Sequence, residues 1–227
     1  MIHNYKPIIN ILPYISVFAG LVPVLLYIQN RTNLPNFKLI SIYLGYEFIT
    51  DLFLNPASIF LFKSEFAAAH LFTLIEFFIF NYFFYSISTK AYRKKISIFF
   101  SSLFLFVFTY ENFIVKDQRF DSLTVGTSTI FIISLAVMSL IDLTKKMKTK
   151  ESNSFIFLAI SSILIYFSGT LFIYLLSKAY YSDINFNKYY YIINPTIQIL
   201  RDLLFIYAIY LQKEKKSNNQ IRSILTT

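Results

Sequence analysis

The sequence predicts an all-α fold: a single bundle of seven transmembrane helices, N-terminus outside and C-terminus in the cytoplasm. Three observations predict it. Only 15% of the residues are charged and the mean hydropathy is +0.56, whereas a soluble domain carries about 25% charged residues. Apolar runs of the ~20 residues needed to cross ~30 Å of hydrocarbon recur seven times. The Lys and Arg residues gather in alternate connectors, which is how a polytopic chain fixes its orientation.

The first segment, Ile8–Gln29, has an apolar stretch too long for a typical signal-peptide core and no small-x-small cleavage site after it, so it counts as a helix. Pro13 and Pro23 lie inside it, as Pro195 does in the last segment, and each should kink its helix unless neighbours satisfy the freed carbonyls. The turn Asn30-Arg31-Thr32-Asn33 leads to the second helix, Phe37–Leu54, which Asn55-Pro56 closes. The third, Ala67–Ser88, is separated from the fourth, Ile96–Val115, by the basic stretch Lys90 to Lys95. Lys116 to Asp121 precede the fifth helix, Ser122–Leu143, and Lys145 to Asn153 precede the sixth, Ser154–Ser177. Small residues in the sixth (Ser161, Ser162, Ser168, Gly169, Thr170) let a neighbouring backbone approach closely. Ser182 to Lys188 lead into the seventh, Tyr189–Gln212. Tyr180, Tyr181, Tyr189, Tyr190 and Tyr191 cluster at the outer ends of helices six and seven, the depth that amphipathic rings prefer. Short connectors make neighbours antiparallel, so residues 1–212 form one domain and 213–227 a short basic cytoplasmic tail.

Counted by side, the inner connectors and tail hold 14 Lys and Arg, from Arg31 to Arg222, and the outer ones hold six; Arg201, inside a helix, completes the 21. An odd number of spans keeps all the basic loops on one side. The formal charge of +9 is therefore a topology signal, and nucleic acid is not an expected partner. With no Cys there is no disulfide framework, thiolate metal site or cysteine nucleophile.

Against this background the ionisable residues within helices stand out, since each costs about 3 kcal/mol at the bilayer centre on insertion scales. Helix two carries Glu47 and Asp51 one turn apart, extended by Tyr43 and Asn55; helix three carries His70, Thr73, Glu76 and Asn81; helix seven carries Asn194, Gln198, Arg201 and Asp202. Such spacings put each set on one helix face, toward the bundle interior. At ~1.5 Å of rise per residue, Glu47, Glu76, Arg201 and Asp202 fall within roughly 3 Å of the midplane. Asp51, His70 and Asn194 lie roughly 8–11 Å outward of it. Arg201 should pair with carboxylates, Glu47 and Glu76 being the candidates. Such a cluster can bind a cation, relay a proton or hold a polar head group. The alternative is purely structural, because buried polar residues also glue membrane helices together. Thr124, Thr127 and Ser128 of helix five read as packing, and Glu111 and Asp142 as ordinary helix-end residues.

Named chemistries are mostly excluded. The two His residues cannot build a histidine-rich metal site, there is no HExxH, no Lys in helix seven for a Schiff base, and four Gly make no phosphate loop. Ser168-Gly169 lacks the Gly two residues earlier that an intramembrane serine protease would show. No catalytic residue, metal or cofactor is therefore assigned. The basic clusters Lys90–Lys95 and Lys145–Lys150 either touch anionic lipid heads or only fix topology.

Three segments carry a resemblance: His70-Leu-Phe-Thr-Leu-Ile-Glu76-Phe-Phe, Ser162-Ile-Leu-Ile-Tyr-Phe-Ser168-Gly169-Thr170-Leu-Phe, and Asn194 to Tyr207. Together they resemble an uncharacterised family of small seven-helix membrane proteins and related sensor regions of Bacteroidetes-type bacteria. That resemblance implies a seven-helix fold in the inner membrane and no established activity. The leading expectation is a sensor or binding module for a small ligand, ion or lipid, seated between helices two, three and seven, with a cytoplasmic signalling partner. A small proton-coupled transporter using Glu47, Glu76 and Arg201 is the second reading. An intramembrane lipid hydrolase with buried carboxylates, comparable to lysoplasmalogenases in size and helix count, is the third, and rests on fold analogy alone.

Overall fold

The computed structural model describes residues 6–30, 35–54, 67–115, 122–147, 154–180 and 192–211. Helix α1 spans Lys6–Asn30 without a break at Pro13 or Pro23, and Ser16 Oγ donates 2.7 Å to the Pro13 carbonyl. Helix α2, Pro35–Ile49, runs on through a π-helical turn, Thr50–Leu54. Helix α3 covers Ala67–Ile87, and α4, Ala91–Thr109, also ends in a π turn, Tyr110–Val115. Helices α5 (Ser122–Met147), α6 (Ser154–Tyr180) and α7 (192–211) complete the chain. Every described element is helical. The connectors other than residues 88–90, the tyrosines 181 and 189–191, Asn55 and the tail 213–227 lie outside the described residues.

Five stretches are long and apolar enough to cross a membrane: Ile11–Gln29, Ala69–Ile87, Ala91–Ile114, Leu123–Lys145 and Ile192–Leu211. Within the described residues the other two expected spans do not reach that measure. Helix α2 is divided by its π turn and carries Lys38, Glu47 and Asp51, and the apolar stretch of α6 is Phe155–Leu171.

Burial is arranged inside out relative to a water-soluble bundle. Phe106 and Phe113 of α4 are about 70% exposed, and Ile11, Phe18, Leu25 and Ile28 make an open apolar face along α1. Meanwhile Glu47, Glu76, Arg201 and Asp202 are buried. An apolar surface this extensive is unusual on a monomer in water, whereas lipid tails cover it without penalty.

Helix α3 is central, packing on α2, α4 and α5. Its aromatic rings interlock with every neighbour: Phe77 stacks on Phe104 of α4 at 3.9 Å, Phe80 meets Tyr43 of α2 at 4.5 Å and Phe167 of α6 at 5.3 Å. Where apolar burial gives little, close dispersion contact of this kind holds helices together. Asn81 binds α4 to α3, its amide donating to the Ser97 carbonyl at 3.0 Å and its Oδ1 accepting from Ser97 Oγ at 2.6 Å. Helix α7 closes the bundle, lying on α6 where Gly169 faces Ile197 and reaching α1 and α2 through its charged residues.

One boundary needs correction. Helix α4 begins at Ala91, five residues before the expected Ile96, so the connector is only residues 88–90. Ala, Arg and Lys are strong helix formers. Arg93 also has a partner to reach from the first turn: its guanidinium bonds the Met138 carbonyl and pairs with Asp142 of α5 at 3.0 Å.

Candidate functional site

The expected polar cluster is assembled around Arg201, which sits at mid-length on α7 and is only 1% exposed. Its fork grips Glu47 of α2 with both outer nitrogens, Nη1 to Oε1 at 2.9 Å and Nη2 to Oε2 at 2.6 Å. Its Nε donates to Asp202 Oδ1 at 2.9 Å. Nη1 also donates to the Tyr43 hydroxyl at 2.9 Å. The guanidinium carbon lies 4.6 Å from the centre of the Tyr166 ring and 5.4 Å from that of Tyr43. Bidentate pairing with a carboxylate is the geometry for which a planar guanidinium is suited.

The pairing differs from expectation in one respect. Glu76 does not touch Arg201 directly, because Tyr43 stands between them, accepting from Arg201 and donating 2.7 Å to Glu76 Oε1. Tyr166 also hydrogen-bonds Glu76. Asp202, the adjacent residue, takes the second carboxylate position instead. The backbone of Arg201 is held too: Ser162 Oγ of α6 donates to its carbonyl at 2.8 Å.

Beside this network, α1, α2 and α7 enclose a cavity of about 10 Å³, lined by Ser16, Gly20, Glu47, Asp51 and Gln198 among others. That is roughly the room one water needs. Asp51 is presented to it by the π turn of α2, and such turns are frequent at functional sites. Gln198 reaches Glu47 with a long bond of 3.4 Å. Asp202 is fully buried, and its second oxygen, Oδ2, has no hydrogen-bond partner among the described residues. It points at Gly20: a Cβ there would lie 3.5 Å from it.

Two expected members lie elsewhere. His70 turns toward α4, its Nδ1 donating to Asn112 Oδ1 at 2.7 Å. Asn194 sits near the N-terminal end of α7, its Oδ1 buried and without a partner among the described residues. Among the described residues no three acidic or imidazole groups are arranged to hold a metal ion.

Sequence reasoning passed over two residues. Glu111 is no ordinary helix-end residue. It is buried in the second π turn and accepts from the backbone of Leu123 at 3.2 Å, from that of Thr124 at 2.7 Å and from the Thr124 hydroxyl, capping α5 from α4. Asp142 joins Lys90 and Arg93 at the opposite end of the bundle. A carboxylate in the turn before Leu-Thr at a helix start was the available signal for the first; nothing local signalled the second.

Protein-family models, curated proteins and solved structures give no match to the chain. The reading of the site rests on its geometry.

Proposed function

We propose that this chain is a multi-pass membrane protein acting as a proton-sensing module, its site lying between α2, α3 and α7 with α1 as the lid. One observation carries the reading: the wholly buried Asp202 Oδ2 has no hydrogen-bond partner among the described residues, close to a cavity with room for about one water. The cavity is far below the ~300 Å³ that an organic ligand needs. Glu47, Asp51, Glu76 and Asp202 together bring four carboxyls to one guanidinium. Uncompensated buried charge is costly, so protons are the natural counterweight.

The chemistry is a redistribution of hydrogen bonds. A proton on Asp202 removes its attraction for Arg201 Nε and turns an acceptor-only group into a donor. Arg201 then leans wholly on Glu47, and α7 shifts relative to α1. Because α7 leads into the basic tail 213–227, a cytoplasmic signalling partner would read that shift. The family resemblance suggests the bacterial inner membrane as its location. Nothing in the geometry favours the hydrolase reading, since Glu76 is enclosed by Tyr43 and Tyr166.

The test is pH-difference infrared spectroscopy of the protein in lipid nanodiscs. A buried carboxylic-acid band should grow on acidification and be lost in Asp202→Asn while the amide bands stay unchanged. A band that persists in Asp202→Asn, or no band at all, removes the proposal. Protein-dependent proton flux in liposomes would instead assign the site to transport.

A further inference from the structure

A second cavity lies at the opposite functional pole, where α3 ends and α4 begins. Its volume is about 220 Å³, and Ser88, Thr89, Arg93, Ser139, Asp142 and Ile156 line it. Its volume is about twenty times that of the cavity beside Arg201, so it holds several waters where that one holds about one. It is a mixed cleft, with Ile87, Leu143 and Ile156 beside its polar residues, and the residues around it indicate its depth. Tyr85, Tyr92 and Tyr82 ring that end, the last two more than half exposed, as amphipathic rings do at headgroup level.

The charge arithmetic of the wall is specific. Lys90 reaches Asp142 Oδ1 at 2.9 Å, and Arg93 Nη2 reaches the same oxygen at 3.0 Å. Among the described residues these two cations share one carboxylate, which leaves one positive charge over. Arg93 is buried, so this charge is held in the wall and not in free solution. It uses Nε on Tyr92, one Nη1 hydrogen on the Met138 carbonyl and one Nη2 hydrogen on Asp142. Two of the five guanidinium hydrogens are thus uncommitted to these partners. Lys94, over the Tyr85 ring, and the exposed Lys95 and Lys145 add positive potential outside the cleft.

We infer that this cleft binds the phosphodiester headgroup of an anionic lipid. A single negative charge on a phosphate matches the single uncompensated positive charge, and a planar guanidinium with two free hydrogens suits phosphate oxygens. Ser88 and Ser139 supply hydroxyls for the glycerol end. Asp142 Oδ1 gathers Lys90 and Arg93 to one point of the wall. The inference stands independently of the proton site around Arg201.

The experiment is native mass spectrometry of the protein exchanged into nanodiscs of phosphatidylglycerol and phosphatidylcholine in equal parts. Wild type should retain phosphatidylglycerol preferentially. Arg93→Gln should weaken retention roughly fivefold, the effect of one cation at an anionic surface. Ser139→Phe keeps every charge and fills the cleft, and should do the same. Lys90→Gln changes an exposed side chain, so it serves if the other two fail to fold; it should also weaken retention. Lys94→Gln, outside the cleft, should not. Equal loss in Lys94→Gln, or retention undiminished in Ser139→Phe and Lys90→Gln, would mean diffuse attraction and would overturn the inference. Displacement of bound lipid by millimolar inorganic phosphate would assign the cleft to a soluble phosphate group instead.

Discussion

Replacing Arg201 and replacing Asp202 should have very unequal consequences for stability, although the two residues are neighbours. Arg201→Gln deletes two bonds to Glu47, one to Asp202 and one to Tyr43. Three of these join the guanidinium to a carboxylate, each contributing about 1.5–3 kcal/mol, so the gross loss approaches 5–9 kcal/mol. Part returns as the stranded carboxylates take up protons or water. The expected net loss is about 3–5 kcal/mol, the range for removing one partner of a buried ion pair. Asp202→Asn keeps an oxygen to accept from Arg201 Nε and removes a buried charge whose second oxygen had no partner among the described residues. Its expected effect is within about 1 kcal/mol of wild type, in either direction, as is common when a functional group is removed. The assay is reversible unfolding in mixed detergent–SDS micelles at neutral pH. Repeating it at acid pH should narrow the Arg201→Gln deficit, because protonated partners no longer need the guanidinium. Equal destabilisation by both substitutions would refute the reasoning, by making Asp202 structural. So would an Arg201→Gln protein as stable as wild type.

Gly20→Ala should fold normally, since its Cβ meets Asp202 Oδ2 at an ordinary 3.5 Å, yet it should blunt the infrared acid band by closing access to that oxygen. Glu111→Gln should cost about 1–2 kcal/mol by weakening the cap on α5, with faster hydrogen exchange at Leu123 and Thr124 and little change elsewhere. Gly169→Ala brings a Cβ to 2.7 Å from Ile197 Cδ1 and should cost about 1–2 kcal/mol through overpacking. Adding Ile197→Val, which deletes that methyl, should recover most of the loss; failure to recover would place the strain elsewhere.

What the sequence made legible follows physical scale. Helices defined by twenty apolar residues are visible because every residue in the window votes: α3, α5 and α6 begin at the expected Ala67, Ser122 and Ser154. The Glu47–Arg201 pair was legible because matching depths leave few alternatives for a buried cation. Its second partner was not, since choosing between Glu76 and Asp202 depends on where the Tyr43 ring sits, a detail of packing rather than pattern. The π turns at Thr50 and Tyr110 were hidden because one extra residue per turn leaves no compositional mark. Arg93 looked like any other residue of a basic connector, and only the approach of α5 distinguishes it from Lys95. His70 was grouped with the cluster by spacing and depth, yet six residues before Glu76 it lies about 120° around the helix from it.

The double hold on Arg201 has a mechanical meaning. Its side chain is clamped to α2 and its carbonyl to α6, so one residue pins α7 from two sides. Nine described residues precede it and ten follow, or ~14 Å and ~15 Å of helix. Over its described length α7 is therefore a lever with its fulcrum at Arg201. Any tilt that starts at the fulcrum reaches the two ends as equal and opposite displacements. In the proposed proton-sensing role, the arrival of one proton at Asp202 would in that way be felt at both ends of α7 without the helix sliding.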